Sequence, residues 1–213
     1  MKINILCDNE DSWFWNTSEN FIYQVEKLGH HVNICKSESE LLNADISAFI
    51  SCLKIVSKAG LKKSSSNIVC HPSDLPKGKG FSPIAWEILN GAKFLTFTLF
   101  EAEEKVDNGK IYKKIKIKLE GTELNKEIKE LQARTTYSMI LDYIKNYPLN
   151  DSSPQVGDST HYKRRDSSNS EIDLNKTIYE QFNLLRIVDN DLYPAFFKYQ
   201  GKKYIIKIYE EKK

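Results

Sequence analysis

The residues most able to do chemistry lie between Cys70 and Gly80, in CHPSDLPKGKG. A histidine such as His71 can donate to a developing oxyanion or carry a proton near neutral pH. The apolar run NIVC leads into it, and a turn holding Pro72 and Pro76 follows. The prolines fix the backbone, whereas Gly78 and Gly80 let it bend or approach a ligand closely. Two roles fit His71 on this spacing: the chemical centre of an active-site loop, or a cap on the turn. Lys77-Gly78-Lys79-Gly80 lacks the GxxxxGK[ST] spacing of a phosphate loop and reads as a glycine turn with solvated lysines. Asp107 opens Asp107-Asn108-Gly109, a common turn former. If the strand-like run Phe94–Phe100 lies beside the Cys70 strand, that turn folds back toward His71, where a carboxylate fixes the imidazole's tautomer. Trp13 and Trp15 follow the first apolar run and either wall a pocket or pack on the first helix.

The elements that must position these residues alternate between strand and helix. Ile3–Cys7, Val32–Cys35, Ile46–Cys52 and Asn67–Cys70 are short apolar runs, predicted as buried strands. Asn20–Leu28 carries Phe21, Val25 and Leu28 at helical spacing before Gly29, and Glu38–Leu42 is a short helical turn. This alternation predicts a doubly wound, mostly parallel sheet, which binds ligands outside the carboxyl ends of its strands. Pro83–Leu89 reads as a helix, and Phe94–Phe100 and Ile111–Leu119 as strands around a loop. Thr122–Ile144 reads as a long amphipathic helix with Thr122 as its N-cap and Leu124, Ile128 and Leu131 on one face. Asn150–Ser170 is rich in Ser, Asp and Gly and reads as a linker or extended arm. Lys176–Ile187 is a short helix, and a hairpin turning at Gln200-Gly201 follows. The expected division is a catalytic domain over 1–148, a linker or arm over 149–175 and a C-terminal helix and β-hairpin over 176–213.

Bulk properties narrow the function. The 213 residues carry 31 basic and 29 acidic side chains, a net charge of +2, so a nucleic-acid partner is disfavoured. No apolar run reaches the roughly 18 residues a membrane span needs. The start MKINILCDNED reads as a strand and not a signal peptide, which predicts a cytoplasmic protein with reduced thiols. Cys7, Cys35, Cys52 and Cys70 each close an apolar run near one sheet edge, but none forms a CxxC pair, and no metal is expected. The turn CDNEDSWFW lacks GxGxxG, which argues against a nicotinamide enzyme.

Taken together, HPSDLPKGKG, SPIAWEILNG and FTLFEAEEKVDNGKIY resemble the folate-dependent formyltransferase family over Asn67–Tyr112. The family pattern is a strand ending in Asn-x-His, a Pro-Ser-x-Leu-Pro loop, a helix closing in Gly, and an Asp-x-Gly turn before an Ile. The resemblance implies a Rossmann-like fold, His71 and Asp107 as catalytic residues, 10-formyltetrahydrofolate as formyl donor and a primary amine as acceptor. It also implies donor contacts from Leu75, Pro76 and Gly80, and substrate contacts from Lys77 and Lys79. The family's third residue, an Asn two positions before the His, is Val69 here, and the nearest Asn is Asn67. Asn67 substitutes through a local bulge, another donor fills the role, or His71 and backbone N–H groups suffice.

The tail from HYKRRDSSNSEID to the final hairpin resembles the sugar N-formyltransferases. That likeness implies a UDP- or dTDP-linked amino sugar for surface polysaccharide as acceptor. Tyr162, Lys163, Arg164 and Arg165 would then meet the base or diphosphate, or else form a basic patch in a mobile arm. The alternatives are another amine such as methionyl-tRNA, or a non-catalytic folate- or nucleotide-binding relative. Phe196, Phe197 and Tyr204 of the hairpin either form a homodimer face or cover the core.

Overall fold

The computed structural model describes residues 1–211. Its centre is a six-stranded sheet of β1 (Lys2–Leu6), β2 (His31–Cys35), β3 (Ala44–Phe49), β4 (Ser64–His71), β6 (Phe94–Glu101) and β7 (Ile111–Lys118), in the order β2-β1-β3-β4-β6-β7. The first four strands in that order are parallel, and β6 and β7 are antiparallel additions. The chain winds outward from β1 to β2 and then returns past β1 to β3, so the crevice above β1 and β3 is a switch point of the kind that accepts ligands. This is the doubly wound, mostly parallel sheet that the alternating runs predict.

Period-two alternation sends Ile3 and Ile5 to one face of β1 and Leu6 to the other. The larger core joins Ile3, Ile5, Ile46, Ala48 and Ile68 to Tyr137, Ile140 and Ile144 of the long helix α5 (Asn125–Asn146). Phe21 of α2 (Glu19–Lys27) stacks on Tyr137 with ring centres 4.5 Å apart. A smaller cluster of Leu6, Cys35, Leu41 and Phe49 fills the opposite face, flanked by α3 (Lys58–Leu61). A four-residue helix, α1 (Phe14–Thr17), follows β1, and α4 (Pro83–Leu89) forms as predicted.

Two expectations need correction. The long helix starts at Asn125 and not at Thr122. Glu123 instead accepts the N–H groups of Glu120 and Gly121 in a turn, and Glu127 accepts that of Leu124. The third strand stops at Phe49, three residues before Cys52. The four thiols do lie at the carboxyl ends of β1–β4, near one sheet edge, and they divide between its faces: Cys7 and Cys70 pack with the larger core, Cys35 and Cys52 with the smaller. No group of three or more His, Cys, Asp or Glu that could hold a metal occurs among the described residues.

The polar segment after α5 is folded against the sheet. Ser153 bridges to Ile111, and β8 (His161–Tyr162) pairs with the two-residue β5 (Lys79–Gly80). The chain then forms α6 (Ile178–Ile187), capped by Thr177 with Glu180, and a hairpin of β9 (Ala195–Tyr199) and β10 (Lys202–Ile206). Phe196 is buried under this hairpin, whereas Tyr204 stacks on Phe197 and stays exposed. Among the described residues, no helix is long and apolar enough to cross a membrane.

Candidate active site

His71 is the last residue of β4, and its side chain is 10% exposed. Its Nε2 lies 2.9 Å from the Gly78 carbonyl, which can only accept, so Nε2 carries the proton in that bond. The antiparallel pairing of β4 with β6 brings the following loop back to it: Asp107 Oδ2 stands 4.0 Å from His71 Nε2. Asp107 sits in the left-handed region at φ 50°, which Asp tolerates in turns. Its Oδ2 accepts the Gly80 N–H at 2.9 Å. One carboxylate oxygen thus touches the glycine end of the His71 loop while facing the imidazole.

A cleft of about 470 Å³ opens beside this pair. Its wall includes Asn9, Asp11 and Trp13 after β1, Cys52 and Leu53 after β3, and His71 after β4. Phe81, Arg164 and Arg165 close the far side. The volume falls in the range of roughly 300–1,000 Å³ typical of small-ligand sites. A larger cleft, about 730 Å³, lies between α2 and α5 and contains none of the predicted residues. It has no link to the His71 chemistry.

The two arginines are held by aromatic rings. Arg164 lies over Phe81 at 5.8 Å and Arg165 over Trp86 at 5.7 Å. Trp86 in turn donates from Nε1 to the Lys163 carbonyl at 2.8 Å. Burial pulls the Arg165 guanidinium below its usual pKa, yet arginine stays charged at neutral pH. Tyr162 stacks near Trp86 and donates to Glu87 Oε1 at 2.9 Å. Burial, and then Glu87, raises its phenol, so it is a neutral donor. Burial and the charge of Asp8 push the Cys52 thiol up to about 12, which makes it no nucleophile at neutral pH.

The other predicted residues divide clearly. Gly80 borders the cleft, and its φ of 92° together with a Tyr162 carbonyl 2.7 Å from any added Cβ demands glycine. Leu75 is fully buried and supports the loop, with its carbonyl taking the Lys114 ammonium at 2.6 Å. The Pro76 carbonyl accepts the Thr160 N–H at 3.3 Å. Lys77 is exposed beyond the loop. Lys79 is buried, and its Nζ donates to Asn108 Oδ1 at 3.1 Å, so it braces the loop against the Asp107 turn. Asn67 is not brought to the pair: it lies four residues earlier in β4, and its Nδ2 bonds the Leu61 carbonyl. No bulge interrupts β4 against β3, and Val69 packs with the smaller core.

Gln155, Thr160 and Lys114 also build the site, and no local signal marks them. Their partners lie dozens of residues away: Gly78 N–H donates to Thr160 Oγ1 at 2.8 Å, and Gln155 Nε2 donates to the Asp107 carbonyl at 3.0 Å.

A formyl transferase family model matches residues 21–142, more than half of the chain and including both His71 and Asp107. The chain belongs to the formyl transferase family. Among curated relatives, the bifunctional polymyxin resistance protein ArnA of Wigglesworthia glossinidia brevipalpis is 30% identical over 139 residues. The match takes in 64% of this chain but about a fifth (21%) of that protein. Methionyl-tRNA formyltransferase from Clostridium thermocellum has the same fold, with a TM-score of 0.84 at 22% identity over 100% of this chain and 94% of that one. A sugar N-formyltransferase from a Shewanella species aligns with a TM-score of 0.71 at 17% identity, covering 99% and 98% of the two chains. HypX from Aquifex aeolicus, solved in complex with tetrahydrofolic acid, aligns with a TM-score of 0.77 at 16% identity, over 98% of this chain and 37% of that one.

Proposed function

We propose that this formyl transferase moves a formyl group from 10-formyltetrahydrofolate to the amine of a nucleotide-linked amino sugar, with His71 and Asp107 as the catalytic residues. The observation that carries the reading is the His71–Asp107 pair, 4.0 Å apart, at a cleft whose far wall presents Arg164 and Arg165. The folate donor suits the site: the cleft has the volume of a small-ligand pocket and flat apolar walls at Trp13, Phe81 and Pro83. Bound there, the donor supplies an activated formyl carbonyl.

The chain's own residues supply the rest. His71, protonated, gives its Nε2–H to the negative charge that develops on a carbonyl oxygen under attack by an amine. To do so, Nε2 must leave the Gly78 carbonyl, now 2.9 Å away. Asp107 Oδ2 faces the protonated ring and would accept the proton the amine loses, directly or through water, and that proton would pass to the donor nitrogen as its bond to the formyl carbon breaks. Val69 offers no donor, so the oxyanion is met by His71 with backbone N–H groups. Arg164 and Arg165 pair their planar forks with the diphosphate of the sugar nucleotide. An aromatic ring lies behind each guanidinium.

Incubating the protein with 10-formyltetrahydrofolate and a panel of UDP- and dTDP-linked amino sugars tests the proposal. The expected result is a product heavier by one formyl group; none across the panel, with intact donor, would count against the sugar. An aminoacyl-tRNA acceptor is the second reading, favoured by the match to methionyl-tRNA formyltransferase over 94% of that chain. Tight, salt-sensitive tRNA binding would support it.

A further inference from the structure

Segment 149–175 crosses both halves of the candidate site, and one of its side chains acts where Asp107 is set. Gln155 Nε2 donates to the Asp107 carbonyl at 3.0 Å and to the Gly109 carbonyl at 2.9 Å. A single carboxamide therefore grips both ends of the three-residue Asp107–Gly109 turn. We propose that Gln155 is a positioning residue that holds this turn so that the Asp107 carboxylate reaches His71. The inference rests on the reading of His71 and Asp107 as the catalytic pair.

Three features support it. Asp107 is in the left-handed region at φ 50°, a conformation that costs energy without Gly and persists when its surroundings fix it. Gln155 itself is fixed from behind, because Ser153, two residues earlier, exchanges backbone hydrogen bonds with Ile111 at 2.7 and 2.9 Å. Gly109 presses so closely on the Glu101 carbonyl that no Cβ fits, leaving the turn one seating. The Gln155 clamp is polar, and its Oε1 is buried with no protein partner. A side chain serving only as packing has no need of that unpaired atom, and burying one is costly. Asn108 is tied separately, by Lys79, so two side chains secure the turn.

Gln155→Met keeps the length and removes both N–H donors. Steady-state formyl transfer should show kcat lower by about 10- to 100-fold with KM changed less than about threefold, as expected for a misplaced catalytic group. Residue-resolved amide exchange should show the Gly80 N–H, which the Asp107 carboxylate accepts, exchanging at least about tenfold faster. Gln155→Glu turns an acceptor toward two carbonyls. Its activity relative to wild type should recover as pH falls and the carboxyl regains a donor hydrogen, a pH dependence that loss of packing would not produce. Val156→Ala, next door and 85% exposed, should match wild type in both measurements. Either kcat within about twofold of wild type in Gln155→Met, or unaltered Gly80 exchange, overturns the proposal. If Gln155→Met does not fold, the Gln155→Glu pH series decides, and a flat ratio overturns it. If wild type transfers no formyl group to any acceptor, the catalytic reading fails, while the Gly80 exchange still decides the clamp.

Discussion

His71 and Asp107 face each other across 4.0 Å with both side chains nearly buried, a separation that one bound atom or a small rotation of either ring or carboxylate closes. His71→Ala should lower turnover by about 10²–10⁴-fold, the usual size of a general acid–base contribution, while circular dichroism and the melting temperature stay close to wild type. Retained turnover would remove His71 from the chemistry. Val69 is the residue that departs from the family pattern, and it shares the His71 face of β4, packed with Leu6, Cys35 and Phe49. Val69→Asn should raise kcat if the oxyanion lacks a donor, at a stability cost of about 1–3 kcal/mol for a polar group in apolar surroundings. Unchanged kcat in a folded Val69→Asn protein would mean that backbone N–H groups already fill the role. The place of His71 at a strand end was legible in the sequence because an apolar run precedes it and two prolines and two glycines follow. The departure at Val69 was equally plain, but what lies around it was not, since that depends on which face of the sheet meets which helix.

At the scale of elements, the His71 loop is stapled by a strand pair too short to detect by pattern. β5 and β8 are two residues each, and their pairing joins Lys79–Gly80 to His161–Tyr162. Hydrophobic periodicity needs four or more residues to show itself, so this pairing left no trace in the sequence. Gly80→Ala tests it, since the new Cβ meets the Tyr162 carbonyl and the backbone stays in a left-handed conformation. The expected loss is roughly 2–4 kcal/mol, from strain plus overcrowding. Urea unfolding would measure it, and a loss under about 0.5 kcal/mol would show that the loop tolerates separation from β8. The long strands and α4 were readable because their runs are long and bounded by turn residues. The start of α5 was misread because Glu123 draws the N–H groups of Glu120 and Gly121 into a turn.

At the scale of the whole molecule, the C-terminal helix is fastened by charge to α5 and the turn before it. Arg186 of α6, 3% exposed, pairs with Glu123 at 2.9 Å, and Lys129 of α5 pairs with Asp189 at 2.6 Å. Burial pushes the Glu123 carboxyl up, but backbone N–H groups around Glu120–Glu123 and then Arg186 hold it net below its usual value. A carboxyl depressed in the folded state stabilises above its unfolded pKa, about 4.3, and that stability is lost as pH falls through the lower folded value. Thermal melts across this acid window should therefore fall more steeply for wild type than for Glu123→Gln. Equal slopes would show that the pair does not fasten α6. At neutral pH, Arg186→Met strands a carboxylate that is 18% exposed and should cost about 3–5 kcal/mol, read by denaturant unfolding.

The sequence by itself determined the doubly wound sheet, the His71 loop, the Asp107 turn and the family. These are recorded in contiguous residues: apolar runs of fixed period, prolines and glycines at a strand end, and an Asp-x-Gly turn. Only the tertiary structure decided that Asn67 stays outside the site, that Lys79 is a brace, and that the Ser- and Asp-rich segment after α5 holds both halves of the site. The physical reason is range. A strand or turn is set by neighbours a few residues apart, whereas Gln155 meets Asp107 across 48 positions and Tyr162 meets Glu87 across 75, contacts that exist only once the sheet has closed.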